Sequence, residues 1–285
     1  MQVRRYSDPV EFYERVEPFL RTREAEHCLL LGLSKRIAEQ GYDKPLYEAL
    51  VEVDGEVAAV CVRTAPMNVI LSEMGDPACA ALLADDLHLI WDALPGLLAP
   101  PEPAKAFHDR WYELTGAIPE LAYRETIYRL DKVVYRPAVA GEMVRATEKD
   151  FHLLLEWITA FHIEALGNTT TPDAEVIVRR SLNAHHHEGG MFLWMVEDNP
   201  VSLAGYTGRT ANGIRIGPVY TPPEQRGNRY GMAISAALSQ HLLDGGRRFV
   251  FLYADSDYAP SNHVYRKIGY QPVANAYQYN FRAGG

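Results

Sequence analysis

The chain has 285 residues, 47% of them hydrophobic and 23% charged, with a formal net charge of −9. That length admits one large domain or two of ordinary size, and the balanced composition excludes a disordered or fibrous chain. No stretch of about 18 apolar residues is present to span a membrane, and the acidic balance speaks against nucleic acid or anionic membrane as a partner, since phosphate favours a basic face.

Arg4-Arg5 is followed by acidic and aromatic residues instead of an apolar core, so no secretory signal is expected and a cytoplasmic location is the default. Cys28, Cys61 and Cys79 lie in apolar surroundings without CxxC spacing. They read as small buried hydrophobes, not as a disulfide framework or a zinc site.

In chain order, helices are expected at 9–20 and 23–39. Strands 46–53 and 56–63 form a hairpin across Asp54-Gly55, and a third strand at 68–71 leads into a helix over 77–94. The proline-rich stretch 95–103 reads as a loop, followed by a helix ending at Thr115 and a strand at 123–130. Residues 131–141 have the proline and small residues of a linker.

Beyond the linker, Thr147-Glu148-Lys149-Asp150 resembles a capping box before an amphipathic helix from Phe151. A second helix starts at Thr171-Pro172-Asp173, runs to about His185 and stops at Gly189-Gly190. Strands at 191–197, 201–207 and 214–220 form an antiparallel meander, with turns at Asp198-Asn199-Pro200 and Asn212-Gly213. A loop over 221–228 precedes a helix with Ile234, Ala237, Leu238 and Leu242 on one face, closed by Gly245-Gly246. A buried-type strand at 248–254, a helix at 261–268 and a strand at 278–281 complete the chain.

Both halves therefore read in nearly the same order, and Trp111-Tyr112-Glu113-Leu114-Thr115-Gly116 echoes Val264-Tyr265-Arg266-Lys267-Ile268-Gly269. The expected fold is α/β with a mixed sheet, built as a tandem repeat with domains at 1–135 and 142–285.

The most informative stretch is 219–231, VYTPPEQRGNRYG. It sets a strand, a glycine-containing loop and a helix N-terminus in succession, where open backbone N–H groups and the helix dipole favour an anion such as a pyrophosphate. It fits neither GxxxxGK[ST] nor GxGxxG after a parallel strand.

This segment resembles the signature of the GNAT acyltransferase superfamily, a strand followed by proline and then [Q/R]xxGx[G/A] opening a helix. Arg226-Gly227-Asn228-Arg229-Tyr230-Gly231 fills it except that Arg229 stands where the family usually has glycine. Downstream, Asn262-His263-Val264-Tyr265-Arg266-Lys267-Ile268-Gly269-Tyr270 is similar to the family's NxxxYxKxGF element, one residue shorter between Asn and Tyr. The resemblance covers about 141–281. The first half resembles the fold in outline only and has no phosphate-loop motif near 71–77.

The resemblance implies an N-acetyltransferase that moves an acetyl group from acetyl-CoA to a primary amine of a small molecule or peptide, by direct attack in a ternary complex without a metal. The pantetheine arm is then expected between splayed strands, along Val219, Tyr220 and Thr221. The N–H groups of Arg226, Gly227, Asn228, Arg229, Tyr230 and Gly231 are expected to hold the pyrophosphate, and a backbone N–H near Val219 to stabilise the oxyanion. Tyr265 is expected to protonate the departing thiolate, and Asn262 to support the cofactor. Arg229 is expected either to crowd the phosphate or to add a cationic contact to it.

Glu164, His162 and a backbone-held water are all candidates for the general base. His185-His186-His187 reads as a solvated helix end, since consecutive helical residues point about 100° apart and do not converge on one ion. Tyr112 reads as a relic of Tyr265, and the tail aromatics Tyr270, Tyr277, Tyr279 and Phe281 as packing residues. The rival reading is a catalytically inactive GNAT-fold module that binds a ligand or protein. A third, an aminoacyl or peptidoglycan-type transferase on a tandem fold of the same kind, sits poorly with the acidic charge.

Overall fold

The computed structural model describes residues 1–166, 173–185 and 188–284. The first half runs β1 (Gln2–Tyr6), α1 (Pro9–Arg21), α2 (Cys28–Gln40), β2 (Leu46–Val53), β3 (Glu56–Thr64), β4 (Val69–Leu71), α3 (Ala78–His88), β5 (Gly96–Ala99), α4 (Pro101–Thr115) and β6 (Ile118–Leu130). The second runs β7 (Glu142–Arg145), α5 (Phe151–Leu166), α6 (Ala174–Asn183), β8 (Gly190–Val196), β9 (Asn199–Thr207), β10 (Gly213–Tyr220), α7 (Tyr230–Asp244), β11 (Phe249–Asp255), α8 (Ala259–Ile268) and β12 (Gln271–Arg282).

Apart from 3-10 turns, each half spells βααβββαβαβ, so the tandem repeat holds at the level of element order. Three short strands escaped the sequence expectation. β1 and β7 are short edge strands with charged residues, and β5 lies inside the proline-rich stretch expected to be a loop. The expected helix over 77–94 ends at His88. The start expected at Thr171-Pro172-Asp173 lies partly outside the described residues. Within them Asp173 caps α6, its carboxylate accepting from the Glu175 N–H at 2.9 Å. At α5 the capping box is present as read, with Thr147 and Asp150 bonding each other's backbone N–H.

The chain forms two compact units, one of residues 1–127, 254–257 and 273–285, the other of 128–253 and 258–272. In the first, the strand order is β1-β2-β3-β4-β5-β12-β6. β12 runs antiparallel to β5, with Tyr277 opposite Ala99 and Tyr279 opposite Leu97. The sequence expectation gave this last strand to the second half. Its alternating pattern marked it as a strand, but local sequence carries no information about a partner so far back in the chain.

Alternation along β2 and β3 sends side chains to opposite faces. Tyr47, Ala49, Val51, Ala59 and Cys61 pack under α3 and α4 with the fully buried Trp111, while Leu50, Val60 and Val62 pack with Phe12, Val16 and Leu20 of α1. No disulfide links the three buried cysteines.

In the second unit the order is β11-β10-β9-β8-β7. Leu154, Trp157 and Ile158 of α5 and Val178 of α6 bury against Met191, Leu193, Leu203 and Tyr220. Each fully buried large apolar side chain of this kind contributes about 2 kcal/mol. Of the expected apolar face of α7, Ile234, Leu238 and Leu242 are buried and Ala237 is half-buried, and α7 packs on β8, β9 and β10. No described helix is long and apolar enough to cross a membrane.

Candidate active site

The site grows from an irregularity in β10. Arg215 and Ile216 pair with Thr207 and Tyr206, but Val219 and Tyr220 pair with Ala204 and Leu203, so β10 bulges at Gly217-Pro218. A Cβ at Gly205 would come within 3.1 Å of both the Gly217 carbonyl oxygen and Pro218 Cδ, so the bulge packs tightly against this glycine. On its other side β10 pairs in parallel with β11 only through Gly213–Arg215 and Phe249–Phe251. β10 continues to Tyr220 and β11 to Asp255, so the Val219 edge of β10 has no β11 partner.

Past Tyr220 the chain enters a 3-10 turn, Pro223–Gln225, and then α7. The Arg226 N–H closes this turn onto the Pro223 carbonyl at 3.2 Å. The N–H groups of Gly227, Asn228, Arg229, Tyr230 and Gly231 have no acceptor among the described residues. Five open donors in succession at the N-terminus of a 15-residue helix form a concentrated anion-binding surface.

Arg229 takes φ 65°, ψ 16°, the left-handed conformation that suits glycine, the residue expected there from the signature it resembles. Its side chain is exposed. The loop backbone therefore follows the glycine-type path despite the substitution. A Cβ at Gly231 would lie 3.0 Å from Thr221 Oγ1, which makes this the tight contact between helix start and strand end.

Ser202 on β9 fixes that strand end, donating to the Tyr220 carbonyl at 3.0 Å and sharing a 2.8 Å hydrogen bond with Thr221 Oγ1. Nothing in the motif pointed to Ser202; a lone serine inside the apolar run of β9 was the available signal. Glu164, near the end of α5, lies beside the same residues. Its carboxylate accepts from the Tyr220 hydroxyl at 3.2 Å and from Arg226 Nη2 at 2.6 Å, while Arg226 Nε donates to the Thr221 carbonyl at 2.9 Å. The Tyr220 phenol is pushed up by burial and then by Glu164. His162 is held below its ordinary value by partial burial, which keeps its imidazole neutral and able to accept a proton near pH 7.

Tyr265 and Asn262 stand on α8, which packs against α7. The Tyr265 ring meets Tyr128 at 6.2 Å and Tyr270 at 5.7 Å, and its hydroxyl has no hydrogen-bond partner among the described residues. Burial pushes this phenol up to about 12, so it carries its proton throughout the neutral range. Asn262 turns inward: Oδ1 accepts from the Tyr128 hydroxyl at 2.9 Å and Nδ2 donates to the Tyr258 carbonyl at 3.0 Å. Tyr128 joins Asn262 and Tyr265 in this cluster, and the sequence did not single it out.

The corresponding place in the first half is built differently. At the start of α3 the Ala78 N–H donates to Asp76 Oδ1 at 2.9 Å, and the Cys79 and Ala80 N–H groups donate to the carbonyls of Asp76 and Pro77. An acidic side chain occupies the helix end that is open in α7. The described residues contain no group of three or more His, Cys, Asp or Glu placed to hold a metal; His186 and His187 lie outside them.

Residues 151–270 match the profile described as the acetyltransferase (GNAT) family. A mycothiol acetyltransferase of Saccharomonospora viridis is 37% identical over 70 residues, 24% of this chain and 23% of that protein. One from Gordonia bronchialis is 30% identical over 100 residues, 34% of this chain and 32% of that protein. The matches thus span about a third or less of these relatives' lengths. Among solved structures, a tandem GNAT protein from the clavulanic acid biosynthesis pathway superposes with a TM-score of 0.58 at 13% identity, covering 100% of this chain and 98% of that one. That likeness speaks to fold, over both halves. Residues 151–270 thus match the GNAT acetyltransferase family, in a chain whose two halves have the fold of tandem GNAT proteins.

Proposed function

We propose that the second unit, residues 128–253 and 258–272, is a cytoplasmic N-acetyltransferase that takes the acetyl group of acetyl-CoA and passes it to the primary amine of a small molecule or peptide, by direct attack. The observation that carries this reading is the run of five open N–H donors from Gly227 to Gly231, directly beyond the edge of β10 that lacks a strand partner. Those donors suit a pyrophosphate, and the open edge around Val219 suits an amide-bearing arm that pairs with backbone. When bound, the cofactor supplies an acetyl thioester. The chain's part is to orient it along Val219–Thr221, to offer a β10 N–H to the developing oxyanion, and to deliver the Tyr265 proton to the departing sulfur. Glu164 and His162 remain the candidate bases.

The rival, an inactive binding module, rests on Arg229. The left-handed backbone at Arg229 keeps the loop in its glycine-type path, and this favours retained binding. Calorimetric titration with acetyl-CoA, followed by a screen of primary amines for released thiol, tests the proposal. Micromolar binding with turnover on an amine is the expected result. Binding without turnover on any amine would favour the module, and absence of binding would overturn the cofactor assignment.

A further inference from the structure

Arg226 is the only member of the 226–231 signature whose backbone N–H is consumed by the turn, and its side chain is directed elsewhere. Nε is anchored on the Thr221 carbonyl at 2.9 Å, and Nη2 reaches Glu164 Oε2 at 2.6 Å. The other carboxylate oxygen of Glu164 is steadied by the Tyr220 hydroxyl at 3.2 Å. A carboxylate from α5 is therefore clamped beside the five open N–H donors that begin at the very next residue.

Carboxylate and phosphate compete for arginine through the same planar, charge-assisted geometry. The pair is nearly half exposed on both sides, with side-chain exposures of 46% and 44%, which puts it among the weak, solvent-screened ion pairs. A dianionic pyrophosphate on the neighbouring N–H groups outbids such a partner easily.

We infer that Glu164 acts as an internal stand-in for the cofactor's pyrophosphate: it occupies Arg226 in the free protein, and cofactor binding transfers Arg226 to the phosphate and releases the Glu164 carboxylate. This inference rests on the acetyl-CoA reading above and adds a coupling to it. Thermodynamic reciprocity requires that whatever holds Glu164 on Arg226 weakens cofactor binding by the same factor. The clamp also ties α5 to the loop that opens α7, so releasing it frees a carboxylate on that helix.

The test is a double-mutant cycle read by calorimetry with coenzyme A itself as the probe, so that no acceptor or turnover is needed. Glu164→Gln is expected to bind coenzyme A about two- to fivefold more tightly than wild type at low salt, the range of an exposed ion pair. Arg226→Gln is expected to bind more weakly, and the double variant to match Arg226→Gln, because Glu164 then has no arginine to withhold. Unchanged or weaker binding by Glu164→Gln overturns the inference. So does a gain that persists in the Arg226→Gln background, which would reduce Glu164 to a distant repulsive charge. If neither wild type nor Glu164→Gln binds coenzyme A, the acetyl-CoA reading itself falls and takes the stand-in with it. Glu164 is exposed, so both Gln and Ala variants are expected to fold, and Glu164→Ala repeats the measurement without the amide.

Discussion

The Tyr128 hydroxyl donates to Asn262 Oδ1 at 2.9 Å, and the ring of the same tyrosine lies 6.2 Å from that of Tyr265. Asn262 and Tyr265 are three residues apart on α8 and so face the same side of the helix. Tyr128 thereby braces both from one position. On the proposed mechanism Tyr265→Phe removes the proton donor and is expected to lower kcat about 100-fold with coenzyme A affinity unchanged. Tyr128→Phe deletes one buried hydrogen bond, a loss of about 1 kcal/mol, and is expected to lower kcat about fivefold or less. Equal losses in the two variants, or a Tyr265→Phe enzyme with full turnover, would remove Tyr265 from the chemistry.

The pH dependence follows from the same phenol. Its value is pushed up from 10.0 to about 12 by burial, so the protonated donor form persists well above neutrality. A pH–rate profile measured between about 7 and 10 is expected to show no descending limb from Tyr265. A descending limb centred near 9 in wild type and missing in Tyr265→Phe would contradict the burial of this group.

Arg229 offers a test of backbone strain. A non-glycine residue at φ 65° is disfavoured by about 1 kcal/mol relative to glycine. Arg229→Gly is expected to raise the denaturant midpoint by a corresponding amount, because glycine is also tolerated at a helix N-cap. If the arginine side chain contributes to phosphate binding, the same variant loses coenzyme A affinity while gaining stability. Gains in both would show that the side chain crowds the site.

These residues also mark how far the sequence carried. The helix over 230–244 and its opening loop were legible because their signals are local: a glycine-containing loop, an apolar face at helical spacing, and a glycine stop at Gly245. Tyr265 and Asn262 were legible through motif spacing. Tyr128 was not, because its link to Asn262 is made in space and tyrosine on a strand looks like any packing residue. The pairing of β12 with β5 was hidden for the same reason, and β5 itself was obscured by Pro95 and Pro100 at its borders. The Glu164–Arg226 pair falls between these cases. Both residues had been singled out, one as a base and one for its backbone, but only the fold shows them bonded to each other.

The first unit contains two buried ionisable groups whose effects on stability run in opposite directions. Glu48 on β2 is 2% exposed and neither carboxylate oxygen has a hydrogen-bond partner among the described residues. Burial first, and nearby Asp8 second, push it up from 4.5 to about 7. His27 is 3% exposed, with Nδ1 placed 3.0 Å from the Leu20 carbonyl and Nε2 accepting from the Glu73 N–H at 3.1 Å. Burial lowers it from 6.5 to about 4, against the opposing pull of the Leu20 hydrogen bond. For Glu48 the raised value means that stability is fully present below pH 4.5 and is lost as pH rises through 7. For His27 the lowered value means that stability is present above pH 6.5 and is lost as pH falls through 4. Each full swing is worth about 3 kcal/mol, so between about pH 4.5 and 6.5 the two slopes offset one another. Glu48→Gln is expected to uncover a stability that climbs with pH across that interval, and to exceed wild type by up to about 3 kcal/mol at pH 8. His27→Gln is expected to uncover the reverse slope from a lower starting stability, since it disturbs two buried hydrogen bonds. Denaturant midpoints recorded from pH 4 to pH 8 for the three proteins decide the matter: parallel curves for wild type and Glu48→Gln would mean that Glu48 titrates at an ordinary value and finds water or a partner in solution.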